Sequence, residues 1–329
     1  MKYIVDDNTK VLFVKNNYLL LQNKKKTDKI CIDEFFYKKL VNFFKNSYYF
    51  DEEDNIFSNT EINFLTKYLI IKKMSKNMEK YIDTRYEKYQ IYLENIFEDA
   101  KQKDYISNNN NKKVLFIGAG GICTAILDYL ISVGIINYLI IDFDNVDITN
   151  FNRQFKYNIK DIGKTKVDCL KNNLLAQYDN LQIETKNLKI KSIDDVKKLL
   201  NSYQPDFVVC AADTPIYLIH KYIVNACLDN STPCIFGGVG QNNGSFGPLL
   251  YNRVGMKAYL KEIDNILDSV EGVFPCKGSF GLTNSLVSNY IARDIILYLM
   301  DKKKQIKSLN KLCVIDFDKD VIYEKRKYK

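Results

Sequence analysis

Histidine and tryptophan are almost missing from this chain of 329 residues: it has a single histidine, His220, and no tryptophan. One imidazole excludes a histidine-rich metal site and argues against histidine-based acid–base chemistry. The eight cysteines form no Cys-x-x-Cys pair and no regular spacing, so neither a disulfide framework nor a structural zinc is expected. No apolar run approaches the ~18 residues that span a bilayer, and the start, MKYIVDDNTK, lacks the basic-then-apolar layout of a signal peptide. The expectation is a cytoplasmic, reduced protein with no membrane partner. Charge of one sign is also scarce: 48 Lys+Arg against 40 Asp+Glu leave +8. The basic residues are scattered or paired with acids, and no stripe marks a nucleic-acid face. A modest positive excess does suit phosphates.

What is present is enough for a large core, with 46% hydrophobic and 13% aromatic residues. Residues 1–75 read as a small α+β module. Val11–Val14 and Tyr18–Leu21 are β-rich runs joined by Lys15, Asn16 and Asn17, a hairpin signal because asparagine tolerates positive φ. A helix follows Asp33, and another opens at Ser58, where Ser58 and Glu61 have capping-box spacing. The order of elements is winged-helix-like. Residues 76–111 read as a helical linker, with a long helix over Tyr81–Ala100 and a polar break at Ser107–Asn111.

From residue 112 to 329 the pattern becomes α/β. Strands at Val114–Ile117, Tyr138–Ile141, Gln182–Glu184, Phe207–Cys210 and Pro233–Gly237 alternate with helices at Ile122–Val133 and Lys164–Gln177. This is the grammar of a Rossmann-like, mostly parallel sheet. Leu312–Phe317 and Val321–Glu324 predict antiparallel C-terminal strands turning at Lys319-Asp320.

The chemistry-bearing residues begin where the first buried strand runs into Gly118, Ala119, Gly120 and Gly121 and opens a helix. That arrangement lets backbone approach phosphates and aims a helix N-terminus at their charge. Asp142 and Asp144 close the next strand, where an acid can hold ribose hydroxyls. Then come Asn150, Arg153 and Gln154, the run Gly163-Lys164-Thr165-Lys166, and the strand Val208–Ala212 ending on Asp213.

In this ordered series the chain resembles the ThiF-type adenylyltransferases of thiamine and molybdopterin biosynthesis and the activating enzymes of ubiquitin-like proteins. The resemblance covers roughly Lys112 to the C-terminus. It implies ATP and Mg²⁺ as cofactors. Gly118, Gly120, Gly121, Asp142, Asp144, Asn150, Arg153, Gln154 and Lys166 would hold the nucleotide. Arg153 and Lys166 would clamp phosphates, and Asp213 would bind the metal. A carboxylate is already ionised at neutral pH, so such a site must supply positioning and charge stabilisation rather than a base. The family's Arg-Tyr-x-Arg-Gln run stands here as Arg85-Tyr86-Glu87-Lys88-Tyr89-Gln90. Lys88 replaces the second arginine, keeping the charge and losing the bidentate fork. The resemblance implies a homodimer in which this segment, Lys88 included, serves the other subunit's catalytic site.

The front module is similar in order and size to the peptide clamp of the microcin C peptide-nucleotide synthase branch and related enzymes of ribosomal peptide modification. That implies a precursor peptide as substrate, adenylated on a carboxylate, its C-terminus expected. Residues 252–278 would form the crossover segment over the substrate's end. Two alternatives stay open. One is activation of a ubiquitin-like or sulfur-carrier protein, with Cys276 as a thiol nucleophile in the loop Val273–Gly278. The other is a degenerate relative that only presents peptides.

Overall fold

The computed structural model describes residues 1–23, 26–271 and 278–329. The chain divides into two compact units, Met1–Tyr105 and Ile106–Lys329.

The first unit contains β1 (Lys2–Val5), β2 (Lys10–Val14), β3 (Tyr18–Gln22), β4 (Thr27–Cys31), α1 (Glu34–Asn46), β5 (Tyr49–Asp51), α2 (Asn59–Lys67), β6 (Ile71–Lys73), α3 (Lys76–Tyr81) and α4 (Glu87–Ile96). Its strands make two three-stranded antiparallel sheets, ordered β5-β1-β6 and β2-β3-β4. The β2–β3 hairpin turns where expected, with Asn16 and Asn17 at φ of 63° and 61°. The Asp33 side chain accepts from the Phe36 amide to start α1, and the Ser58–Glu61 capping box starts α2. Phe36, Leu40, Phe43, Phe50, Phe57 and Leu65 form the buried centre.

The predicted long helix over Tyr81–Ala100 is instead broken into α3, α4 and a 3-10 turn at Glu98–Lys101. Asp83 adopts φ 59°, the Thr84 hydroxyl bonds back to the Tyr81 carbonyl, and the Asp83 amide donates to Glu87 Oε2. These local bonds stop one helix and restart another. The predicted polar break is also helical, as α5 (Tyr105–Asn110). Its asparagines are anchors: buried Asn109 donates to the Val133 carbonyl, and Asn137 donates to the Asn110 carbonyl.

The second unit continues with β7 (Lys113–Ile117), α6 (Gly121–Ser132), β8 (Asn137–Asp142), α7 (Lys166–Gln177), β9 (Gln182–Asn187), α8 (Ile193–Tyr203), β10 (Phe207–Cys210), α9 (Leu218–Asn230), β11 (Cys234–Val239), β12 (Asn243–Leu250), α10 (Arg253–Ser269), α11 (Gly281–Leu299), β13 (Lys311–Asp316) and β14 (Val321–Lys327). They build an eight-stranded sheet ordered β14-β13-β12-β11-β10-β7-β8-β9. Strands β11, β10, β7, β8 and β9 are mutually parallel, and β12, β13 and β14 are antiparallel. This is the expected fold class.

The parallel strands are covered on both faces, which is why they read as unbroken apolar runs. Leu115, Ile117, Leu139, Ile141 and Val208 pack with residues of α8, α9 and α10. On the other face α11 contacts α6, β11 and β12, and its Tyr298 ring meets Phe207 with centroids 5.5 Å apart. Within the expected crossover segment, α10 buries Met256, Tyr259 and Ile263 and packs on α9. No helix among the described residues is long and apolar enough to cross a membrane.

Candidate active site

The sheet's topology chooses the site. The chain runs from β7 outward through β8 to β9, then returns to the far side of β7 to lay down β10 and β11. Connections leave β7 and β10 in opposite directions, which opens a crevice at their carboxyl ends. The glycine loop after β7 and the Ala211–Asp213 segment after β10 both lie there, since Ile117 and Cys210 pair in register.

The two loops touch. Gly118 has φ +104°, and a Cβ on it would stand 2.6 Å from both the carbonyl carbon and the oxygen of Ala211. Only glycine meets both conditions. The next residue is held from both sides: the Ala119 amide donates to Asp142 Oδ2 at 2.6 Å, and its carbonyl accepts from the Tyr157 hydroxyl at 2.7 Å. Gly120 caps α6 without a side chain, so the first amides of α6 keep no intrahelical acceptor.

Asp142 thus has a structural task beside its expected ribose role. Its other oxygen, Oδ1, accepts from the Asp144 amide at 2.8 Å. Burial raises its carboxyl above the ordinary range, opposed by those two backbone hydrogen bonds and by the Lys166 charge. Lys166, at the start of α7, places its ammonium 2.8 Å from Asp144 Oδ2; the lysine side chain is 8% exposed and the aspartate's 49%. The Lys166 amide also donates to the Asp144 carbonyl. Gly163 makes the reversal that brings them together, at φ +83°.

Asn150, Arg153 and Gln154 share one tight turn. Buried Asn150 accepts from the Asp147 amide through Oδ1 and closes a 3-10 capping box. Its carbonyl takes the amides of Arg153 and Gln154. The Arg153 guanidinium donates through one nitrogen to the Thr149 carbonyl and to Asn152 Oδ1, each at 2.9 Å. Gln154 is 2% exposed, and its Oε1 has no hydrogen-bond partner. A Cβ at Gly120 would meet nothing nearer than Gln154 Nε2, at 3.9 Å. The atom nearest Gly120 is thus the amide donor Nε2, and a side-chain N–H donor beside an open glycine at a helix N-terminus suits an anionic group.

Asp213 is exposed, with one hydrogen bond from the Thr214 hydroxyl at 3.2 Å. A lone hard-oxygen carboxylate suits Mg²⁺, which is bound through one or two carboxylates plus substrate phosphates. Among the described residues no group of three or more His, Cys, Asp or Glu could hold a metal ion.

Lys88 belongs to the first unit, its ammonium 2.7 Å from Glu87 Oε1 and 4.2 Å from the centre of the Tyr48 ring. Cys276 lies outside the described residues. Cys227 and Cys234, which follow the Asp213 strand, are buried.

Two contributors had no motif to announce them. Tyr157 reaches the glycine loop from three residues past Gln154, and only its place in the same turn could have singled it out. Asn284 of α11 is buried against the start of α6, where a Cβ on Gly121 would lie 2.8 Å from its Oδ1. No local pattern marks it.

Comparison with known proteins agrees with this geometry. Residues 87–327 match the ThiF family. The tRNA threonylcarbamoyladenosine dehydratase of Bacillus subtilis (strain 168) is 31% identical over 138 residues, covering 42% of this chain and 53% of that protein. The chain spans little more than half the length of the curated relatives it matches first. Escherichia coli MccB crystallised with ATP is similar in fold, with a TM-score of 0.70 at 21% identity, over 100% of this chain and 98% of that one. The microcin C7 biosynthetic enzyme MccB in complex with N-formylated MccA is similar over 100% and 98%, with a TM-score of 0.68 at 20% identity. With the family matched across most of its length, and its glycine loop, Arg153 turn and Asp213 strand gathered at one crevice, the chain belongs to the ThiF family.

Proposed function

We propose that this protein is an ATP- and Mg²⁺-dependent adenylyltransferase that activates a carboxylate, expected at the C-terminus, of a ribosomally made precursor peptide. The observation that carries the adenylation reading is the cradle formed by Gly118–Gly121, with the Gln154 Nε2 donor beside the open Gly120. In the reaction a carboxylate oxygen attacks the α-phosphorus. A new acyl–phosphate bond forms as the α–β anhydride bond breaks, and its electron pair leaves with pyrophosphate.

No proton has to be removed from the nucleophile, so this chain's residues act by charge and placement. The α6 N-terminus and glycine amides receive phosphate oxygens. Lys166 uses donors left over from Asp144, because an ammonium carries three. Arg153 offsets charge on the departing pyrophosphate, Asn150 and Gln154 orient the chain of phosphates, and Asp213 carries the Mg²⁺. Asp142 and Asp144 serve the ribose.

The peptide assignment rests on the full-length fold likeness to an enzyme crystallised with MccA and on the open edges of the β2-β3-β4 sheet, where a leader segment can add as a strand. The working unit in this reading is a homodimer, with Lys88 of one copy serving the site of the other. ATP–pyrophosphate exchange with candidate peptides, followed by mass spectrometry of the product, tests the assignment. Exchange stimulated by a peptide with a free carboxyl terminus, and lost on its amidation, is expected. Absence of exchange with every carboxylate, by folded protein that still binds peptide, would sink it.

A further inference from the structure

Ala119 lies between two glycines of the phosphate cradle and is fully buried. A peptide unit is planar and trans, so the Ala119 carbonyl and the Gly120 N–H belong to one rigid plate and point in opposite directions. The Tyr157 hydroxyl grips one end of that plate, 2.7 Å from the Ala119 oxygen. The preceding plate is gripped as well, where the Ala119 N–H meets Asp142 at 2.6 Å. Rotation about Ala119 ψ and the freer Gly120 φ would otherwise let the plate swing.

Tyr157 is itself well anchored. It is 5% exposed, and its neighbour Lys156 bonds through its ammonium to Asp128 of α6 at 2.6 Å and through its carbonyl to Asn173 of α7 at 2.8 Å. The Tyr157 hydroxyl thereby ties the turn carrying Arg153 and Gln154 to the glycine loop.

We propose that Tyr157 is a positioning residue that aims the Gly120 N–H into the phosphate cradle by holding the Ala119–Gly120 peptide plane. The inference rests on the adenylation reading. It assigns to a side chain that touches no reacting atom the orientation of a donor that does.

The fold supplies its own control. Tyr138 is also buried, and its hydroxyl also donates 2.7 Å to a backbone carbonyl, that of Ile135. It stands near the start of β8, whereas the cradle is at the other end of the parallel strands. Tyr157→Phe and Tyr138→Phe each remove one buried hydroxyl from one carbonyl, so their urea midpoints should fall by similar amounts.

The full-length protein and both variants are titrated with α,β-methylene ATP and Mg²⁺ by calorimetry, without a carboxylate substrate. Tyr157→Phe should raise the Kd about 10-fold, the scale of weakening one hydrogen bond to a charged group, while Tyr138→Phe stays within about twofold. Equal Kd changes in the two variants would overturn the proposal. So would failure of Tyr157→Phe alone to fold, since the hydroxyl would then be holding the structure rather than the donor. If the wild-type protein gives no binding, the adenylation reading falls first and this inference falls with it.

Discussion

Lys166 and Asp144 form a 2.8 Å ion pair in which the lysine is buried and the aspartate half-exposed. The carboxylate keeps much of its hydration while the ammonium has given up most of its own. The cation is therefore fixed by Asp144, close enough to Asp142 to act on its carboxyl. Lys166→Ala should leave the fold intact and lower pyrophosphate exchange at least 100-fold, about the effect of deleting one charge-stabilising donor. Asp144→Asn should instead cost about 1–2 kcal/mol of stability in urea titrations, because a mostly buried ammonium loses its partner. Normal exchange by Lys166→Ala would remove Lys166 from the phosphate site.

The contact between Gly118 and Ala211 makes a sharper demand on the fold. Gly118→Ala forces a side chain into φ +104° and drives its Cβ to 2.6 Å from backbone that has no room to yield. A loss of about 2–4 kcal/mol is expected, combining positive-φ strain with overpacking. Gly163→Ala is the comparison: it also has positive φ, but no atom lies within 4 Å of the added Cβ. It should cost about 1–2 kcal/mol. Equal losses in denaturant melts would mean that loop contact contributes nothing beyond backbone strain.

These positions show which features were legible in the sequence. Strands β7 and β10 were readable because burial on both faces leaves short apolar runs, and the family was readable because its motif spacing is local to each turn. Strand β12 was not. Its run Asn243–Leu250 contains Gly247-Pro248, residues that punctuate a sequence as a turn, yet it pairs on both sides within the sheet. The Lys166–Asp144 pair spans 22 residues and the Ser288–Ile122 bond 166. Contacts of that range follow from the tertiary path, which composition and periodicity do not encode. The helix predicted over Tyr81–Ala100 failed for the opposite reason: a single left-handed residue, Asp83, outweighed a helical pattern.

Asp213 carries the metal assignment alone among the described side chains of the site. Its exposure and single hydrogen bond give it little structural work, so Asp213→Ala should stay within about 0.5 kcal/mol of wild type in stability. Exchange should disappear at millimolar Mg²⁺ while peptide affinity is kept. Undiminished turnover would move the metal to another ligand.

Cys276 separates peptide adenylation from thioester chemistry. A pathway ending at the acyl adenylate has no use for a thiol, so Cys276→Ala should give wild-type product yield by mass spectrometry. Complete loss of product by a folded variant would favour the carrier-protein alternative.

His220, the only histidine, should govern part of the acid response. Burial lowers its pKa from 6.5 to about 4, and its Nδ1 shares a 2.8 Å hydrogen bond with the Tyr259 hydroxyl. In the unfolded chain the ring takes up a proton near pH 6.5, whereas the folded protein resists until about pH 4. The lowered folded value means that this contribution to stability is complete above pH 6.5 and drains away as pH falls through about 4. At pH 5 a fully buried ring would cost about 2 kcal/mol relative to pH 7. His220 keeps some exposure, which reduces the expected loss to about 1 kcal/mol. Urea unfolding of wild type and His220→Gln at pH 7 and pH 5 isolates this contribution, because the carboxylates titrate in both proteins. The wild type should lose about 1 kcal/mol more than the variant between the two pH values, and parallel losses would show that His220 takes up its proton equally in the folded and unfolded states.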